Sequence, residues 1–496
     1  MTSFPPASRI QATSATSRRF SAAARFVAAM LLVATAACDH KSSTAPATNV
    51  VNSITLTPTS ALLTTGDTLR VSATVYDKAG NIITKDTVSW SSSNTAVATV
   101  SDSGTITAVS VGTAVITATD KAITATVAIS VALPPTKPFT SLAQLATGFA
   151  HTCALTADGT AWCWGSNALG QLGTDSTTAT AFPVHVSGGL SFAAISAGYA
   201  HTCGLTAGGA AWCWGDNSSA QLGATITSAT SSAPVAVSGG LHFTSISAGF
   251  GHTCGLAAGG SAWCWGANQS GQLGSGTIGG SSAAPVQVSG ELHFASISAG
   301  GTYTCGVTTD GTGYCWGSGA YGVLGNGDTM DSGVPVAVAG GLKFASISAG
   351  AYHTCGLTTN GTAWCWGDGT NGQLGTGFTQ QDSDTPVAVI GGHNFTAIVA
   401  ANLNTCALTA SGAAWCWGDG TFGALGTGSS AASPVPVQVT GGQAFAALSA
   451  DGAFHTCGLT PAGTGYCWGY DGSGELGTGR TADNSAAPVE VVQHVP

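Results

Sequence analysis

The chain has 496 residues, room for two or three domains, of which 44% are hydrophobic, 7% charged and 71 are glycine. Disorder needs the opposite balance, low hydrophobicity with high net charge, so the composition reads as glycine-punctuated all-β structure. Four of the twelve basic residues (Arg9, Arg18, Arg19, Arg25) precede residue 26, and from Phe139 onward only Lys343 and Arg480 stand against sixteen acidic residues. Phosphate binding needs Lys and Arg, so nucleic acid is excluded as a partner and anionic membrane surfaces are disfavoured.

Residues 1–38 have the layout of an export signal. A basic stretch ends at Arg25, and the apolar run from Phe26 to Ala37 is too short to span a bilayer. Small residues lead into Cys38. The segment resembles a bacterial lipoprotein signal, with Thr35 where that family usually has Leu. The resemblance implies that Cys38 is lipidated and that this lipid is the chain's one hold on a membrane; ordinary secretion is the alternative. The polar stretch 39–48 then reads as a tether.

Residues 49–132 are short runs rich in Val, Ile and Thr, many alternating with period two and punctuated by Gly, Asp, Asn and Ser. That pattern predicts a β-sandwich. The string from Trp90 to Thr119 closely resembles the bacterial immunoglobulin-like domain of group 2. The resemblance implies Trp90 in the core, Gly112 in a tight connection, and a spacer or adhesion role. Pro134, Pro135 and Pro138 mark residues 133–138 as a stiff linker.

Residues 139–496 hold seven copies of one module. Each copy carries two cysteines ten positions apart, and successive first cysteines lie 50, 51, 51, 50, 51 and 51 residues apart. Such a period marks a repeat architecture. Each copy offers four short strand candidates, as in Phe192–Gly198, His201–Thr206, Ala210–Gly215 and Pro234–Val237, which predicts a seven-bladed propeller. A glycine follows each first cysteine by six residues (Gly159, Gly209, Gly260, Gly311, Gly361, Gly412, Gly463). Three-residue hairpin loops want a left-handed third residue, and glycine takes it freely. With Ala157-Asp158-Gly159 as the loop, Cys153 lies opposite Cys163. The same register predicts disulfides Cys153–Cys163, Cys203–Cys213, Cys254–Cys264, Cys305–Cys315, Cys355–Cys365, Cys406–Cys416 and Cys457–Cys467. Zinc is the weaker reading, since its ligands usually stand two to four residues apart. Paired cysteines at regular spacing suit an oxidising compartment outside the cytosol. Trp162 and Trp164 point away from Cys163 and are expected to pack between blades.

The stretch Gly148–Gly173, with its Trp-Gly, Leu-Gly and PVxV elements, resembles the regulator of chromosome condensation repeat. That resemblance, over residues 139–496, implies the same seven-bladed propeller. The family's founding member is a nucleotide-exchange factor for the Ran GTPase and binds nucleosomes. Its exchange activity uses an inserted wedge, and no wedge-sized insertion separates the copies here. The basic tail is missing too, so guanine nucleotide exchange is not expected. An exported bacterial relative inhibits a β-lactamase through one propeller face, which implies a protein ligand.

His151, His201, His252, His353 and His455, with Tyr303 and Asn404 in the other two copies, are expected to hydrogen-bond backbone near the axis. The pairs Asp328/Asp331 and Asp382/Asp384 read as exposed acidic loops, with calcium as the alternative. No nucleophile–base pair or phosphate loop stands out, and no catalytic residue, resident metal or cofactor is expected. One large residue precedes each His position: Phe149, Tyr199, Phe250, Tyr352, Leu403 and Phe454, with Thr302-Tyr303 in the fourth copy. Repeat symmetry places these around one mouth, as candidate binding residues for a protein or glycan. The loops before the PVxV strands are a second candidate surface. The expected molecule is a monomeric, non-enzymatic binding or adhesion protein of the cell envelope; a hydrolase or lyase at the mouth is the alternative.

Overall fold

The computed structural model describes residues 50–84, 87–450 and 454–495. The signal, the tether and Cys38 lie outside the described residues. Residues 51–132 form the expected sandwich. Ser60–Thr64, Ile123–Ala132, Gly112–Asp120 and Ser89–Ser92 make one four-stranded sheet, Thr68–Arg70, Thr105–Ala108 and Ala98–Val100 a second sheet, and Val51–Thr57 pairs with Ser72–Asp77. Period-two alternation turns Ala114, Ile116 and Ala118 of one strand, and Val127, Ile129 and Val131 of the next, into a shared core. Two expectations need correction. Trp90 is only partly buried and packs against the core's edge. Gly112 opens a strand rather than a turn, at φ +149°, and an added Cβ would come within 2.8 Å of Val97.

The repeats build seven four-stranded antiparallel sheets, each made of consecutive strands. Blade one runs Leu142–Thr147, His151–Thr156, Ala161–Gly165 and Thr180–His185; blade seven runs Ala447–Ser449, His455–Leu459, Gly465–Gly469 and Ser485–Glu490. The hairpin register is the expected one. Thr156 N–H donates to Thr160 O at 3.0 Å, Gly159 sits at φ +83°, and Cys153 faces Cys163. A disulfide joins the two, with Cα atoms 4.1 Å apart, and six more follow in the other blades.

Alternation also gives each blade two unlike faces. Cys153, Cys163, Leu155 and Ala161 face the next blade, where they meet Phe192 and Trp214. Trp164 and Thr152 face the blade before. There the Trp164 Nε1–H and the Thr152 hydroxyl both donate to Glu475 O, each at 2.8 Å. The pattern recurs as Trp214 and Thr202 on Gln171 O, and as Trp265 and Thr253 on Gln221 O. Each disulfide thus lies against the fully buried Trp of its neighbour. Deleting such a ring costs about 3–5 kcal/mol. The other Trp of each pair is only partly buried; Trp162 lies against His185, with ring centroids 3.5 Å apart.

The ring closes without lending a strand. Blade seven supplies all four of its own strands, and Thr147 N–H donates to Ser449 Oγ across the seam at 2.9 Å. The segment read as a linker contributes: Thr136–Pro138 pairs antiparallel with Val492–His494 and clasps the two ends together.

Candidate functional site

Strand register decides what shares a face. His151 pairs with Gly165 and Thr180 with Gly165, so the turn before the second strand and the loop before the fourth open on the same side. The two candidate surfaces are therefore one. The disulfide-closed hairpins and the connections between blades lie on the other side, where Phe192 N–H donates to Gly159 O.

The axis offers little room at this mouth. Gly198, Gly249, Gly300 and Gly350 line an opening of about 10 Å³, near the size of one water. Adjacent blades approach so closely here that a Cβ on Gly198 would stand 2.3 Å from Gly249 O. A cavity of about 290 Å³ along the axis is lined by Ser196, Ser247, Ser298 and Ser348. Each of these hydroxyls takes part in joining blades: Ser196 accepts from Ala248 N–H at 3.0 Å and Ser247 from Ala299 N–H at 2.9 Å.

The histidines form a relay between blades. His151 Nε2 meets Thr202 Oγ1 at 2.8 Å, and the same bond joins His201 to Thr253, His252 to Thr304, His353 to Thr405 and His455 to Thr152. The expected partner was backbone; the found partner is a threonine hydroxyl. Because Thr202 spends its one proton on Gln171 O, the imidazole must donate from Nε2. Burial lowers the pKa of His151, His201, His252 and His455 to about 3 and of His353 to about 4, so the rings are neutral. The repulsion that a second protonated histidine would exert lowers His151 and His252 further, whereas Asp368 pulls His353 part of the way back.

Tyr303 belongs to this relay and not to the mouth. It is 1% exposed, donates to His353 O at 2.7 Å and accepts from Thr354 Oγ1 at 2.9 Å. Its place two residues before Cys305 is the histidine's, which leaves Thr302 as the residue at the rim. Asn404 also takes the histidine's place, where its Nδ2 reaches Cys406 Sγ at 3.8 Å.

Four of the other six candidates come together. Phe149 stacks on Tyr199 with centroids 4.2 Å apart, Tyr199 meets Phe250 at 5.1 Å, and Phe149 meets Phe454 edge-on at 5.6 Å. Tyr199 and Tyr352 are each 41% exposed, and Leu403 is half-buried. Sequence reasoning missed two members. Tyr321, 49% exposed, packs on Tyr352, and Phe422, 38% exposed, bridges Phe454 and Tyr470. Both hold φ +61°, a strained value for a bulky residue. A signal was present. Where Gln171, Gln221, Gln272 and Gln373 cap the loop through their side-chain oxygens, blades four and six carry Val323 and Ala424, with an aromatic two residues earlier.

The four aspartates of the acidic loops are exposed, as expected, and two of them cap backbone across their own loop. Asp331 accepts from Gly319 N–H and Asp382 from Gly369 N–H, each at 3.0 Å. Among the described residues no group of three or more His, Cys, Asp or Glu side chains is placed to hold a metal.

Comparison with known proteins agrees with this architecture. The RCC1-like domain matches residues 188–495, the RCC1 repeat matches residues 143–171 and 158–205, and the bacterial Ig-like domain (group 2) matches residues 50–131. The ultraviolet-B receptor UVR8 of Arabidopsis thaliana is 30% identical over 260 residues, 52% of this chain and 48% of the receptor. The human E3 ubiquitin-protein ligase HERC2 is 30% identical over 244 residues, 48% of this chain and 5% of the ligase. This chain thus matches about half of the plant receptor and a small part of the ligase. Among solved structures, Prp20p of Saccharomyces cerevisiae superposes with a TM-score of 0.61 at 19% identity, covering 68% of this chain and 87% of Prp20p. Human WBSCR16 gives 0.59 at 22% identity, covering 64% and 86%. On the extent of these matches and the seven like sheets, the chain belongs to the RCC1-like domain family.

Proposed function

We propose that the chain is an exported, envelope-anchored binding protein without enzymatic activity, whose propeller mouth engages a partner protein. The observation that carries this reading is the belt of exposed aromatic rings on one face of a rigid ring. Rigid aromatics make good anchors because they bury much area and lose little conformational freedom. An RCC1-like propeller supports protein binding in general, and the related plant chain is a receptor. Fourteen cysteines joined as local disulfides favour an oxidising compartment. The small axial opening and the histidines held neutral by burial and bonded to threonine favour a non-enzymatic role, since a catalytic pocket needs space and convergent reactive groups.

The test is crosslinking pull-down from intact cells, comparing the native chain with a Tyr199→Ala/Tyr352→Ala/Phe422→Ala variant. The variant should keep its melting temperature and lose the crosslinked partner. Equal recovery from both would overturn the reading.

A further inference from the structure

The aromatic mouth is also the acidic side of the propeller. The loops between third and fourth strands, the class that brings Tyr321 and Phe422 to the mouth, together carry most of the propeller's carboxylates. Three of them are tied by backbone hydrogen bonds to the mouth turns. Asp216 N–H donates to Ala200 O beside Tyr199, Asp368 N–H to Tyr352 O, and Asp419 N–H to Leu403 O. The propeller has two cations, each paired with a carboxylate. Lys343 is on the opposite face, bonded to Asp310 at 2.9 Å. Arg480 lies in the loop before blade seven's fourth strand, 3.4 Å from Asp483.

We propose that this mouth takes a lysine- or arginine-bearing segment of a partner protein, its cations lying on the aromatic faces inside a rim of carboxylates. The inference rests on the binding role proposed above and adds the partner's chemistry. An aromatic face carries negative charge density and attracts ammonium and guanidinium groups, while the long stems of Lys and Arg cover the rings. The carboxylates steer such a segment inward and repel acidic ones. A second copy of this chain would present the same acidic face, so self-association through the mouth is opposed.

The experiment uses the full chain and three probes: a labelled peptide alternating Lys with Gly and Ser, its Glu counterpart, and a neutral cello-oligosaccharide. Asp216→Asn/Asp419→Asn should weaken the Lys peptide about fivefold, the triple aromatic variant about tenfold, and rising salt should weaken it further. Asp158→Asn/Glu291→Gln makes the same charge change on the opposite face and should leave affinity within about twofold. Each variant's melting curve establishes that it is folded. Equal losses from the two charge pairs, or equal binding of the Glu peptide, would overturn the proposal. Oligosaccharide binding that needs the aromatic rings, with the Lys peptide indifferent to them, would overturn the cationic partner and leave the mouth as a binding site. Indifference of every probe to the triple variant would overturn both.

Discussion

At position 303 a tyrosine stands where five of the other six blades carry histidine, and its hydroxyl reaches across to the next blade's backbone. Tyr303→Phe removes one of two donors to His353 O, which keeps its bond from Gly350 N–H at 2.9 Å. It should cost about 0.5–1.5 kcal/mol in chemical denaturation while leaving partner binding unchanged. Side-chain size suggested a binding residue; the cysteine count, which places Tyr303 two before Cys305, suggested a framework residue, and the fold follows the cysteine count. Tyr321 and Phe422 show the converse. Their exposure depends on a left-handed backbone in a loop, which no hydrophobic period reports. The sequence trace they leave is the loss of a capping glutamine two residues later.

At the scale of the strand and loop, blade seven departs from its siblings. Asn167 accepts from Leu172 N–H and donates to Ser176 O and Thr178 O. Asp471 takes that place, accepts from Leu476 N–H, and leaves Oδ2 buried without a partner. A carboxylate has no proton to give. Burial, with Glu475 and Asp483 adding like charge, raises the Asp471 pKa to about 7, and burial raises Glu475 too. An acid raised in the fold favours folding at low pH, so its penalty grows as pH climbs from about 4 to about 7. Asp471→Asn should therefore raise the melting temperature at pH 8 and have little effect at pH 4. The five relay histidines act in the opposite direction. Their folded pKa values of about 3–4 lie below the unfolded value, so stability is whole above about pH 6.5 and falls as the unfolded chain takes up protons below it. Each imidazole contributes up to about 1.4 kcal/mol per pH unit. Melting curves from pH 7.5 down to 4.5 should show the fall, and His252→Asn, imitating Asn404, should make it shallower. A slope that the substitution leaves unchanged would mean that His252 is not held neutral in the fold.

Across the whole molecule, the blade count, the four-strand blades and the hairpin register were legible because one spacing recurs seven times and each copy checks the others. A single glycine six residues past a cysteine sets which residues oppose each other, and so which sulfurs meet. What the sequence left open was arrangement. That the turns and the variable loops share one face follows from strand direction within the blade, and the clasp between Thr136–Pro138 and Val492–His494 joins residues 350 or more positions apart without any motif. The covalent prediction belongs at this scale. Denatured, unreduced protein should expose no thiol from residues 139–496, and reduction should release fourteen there. Each bridge closes a loop of about ten residues, worth roughly 2–3 kcal/mol in the chain-entropy model, so reduction should also lower the melting temperature steeply.

Because every blade is continuous in the chain and the ends meet at the clasp, no blade is assembled from distant stretches of sequence. A gene encoding such a ring can gain or lose one module of about fifty codons by unequal recombination, and the product keeps whole sheets throughout. A ring sealed by a borrowed strand would have to preserve its first and last segments as a matched pair. Here each blade holds its own four strands, and blades four and six carry an exposed aromatic ring where blades one, two, three and five carry a glutamine cap.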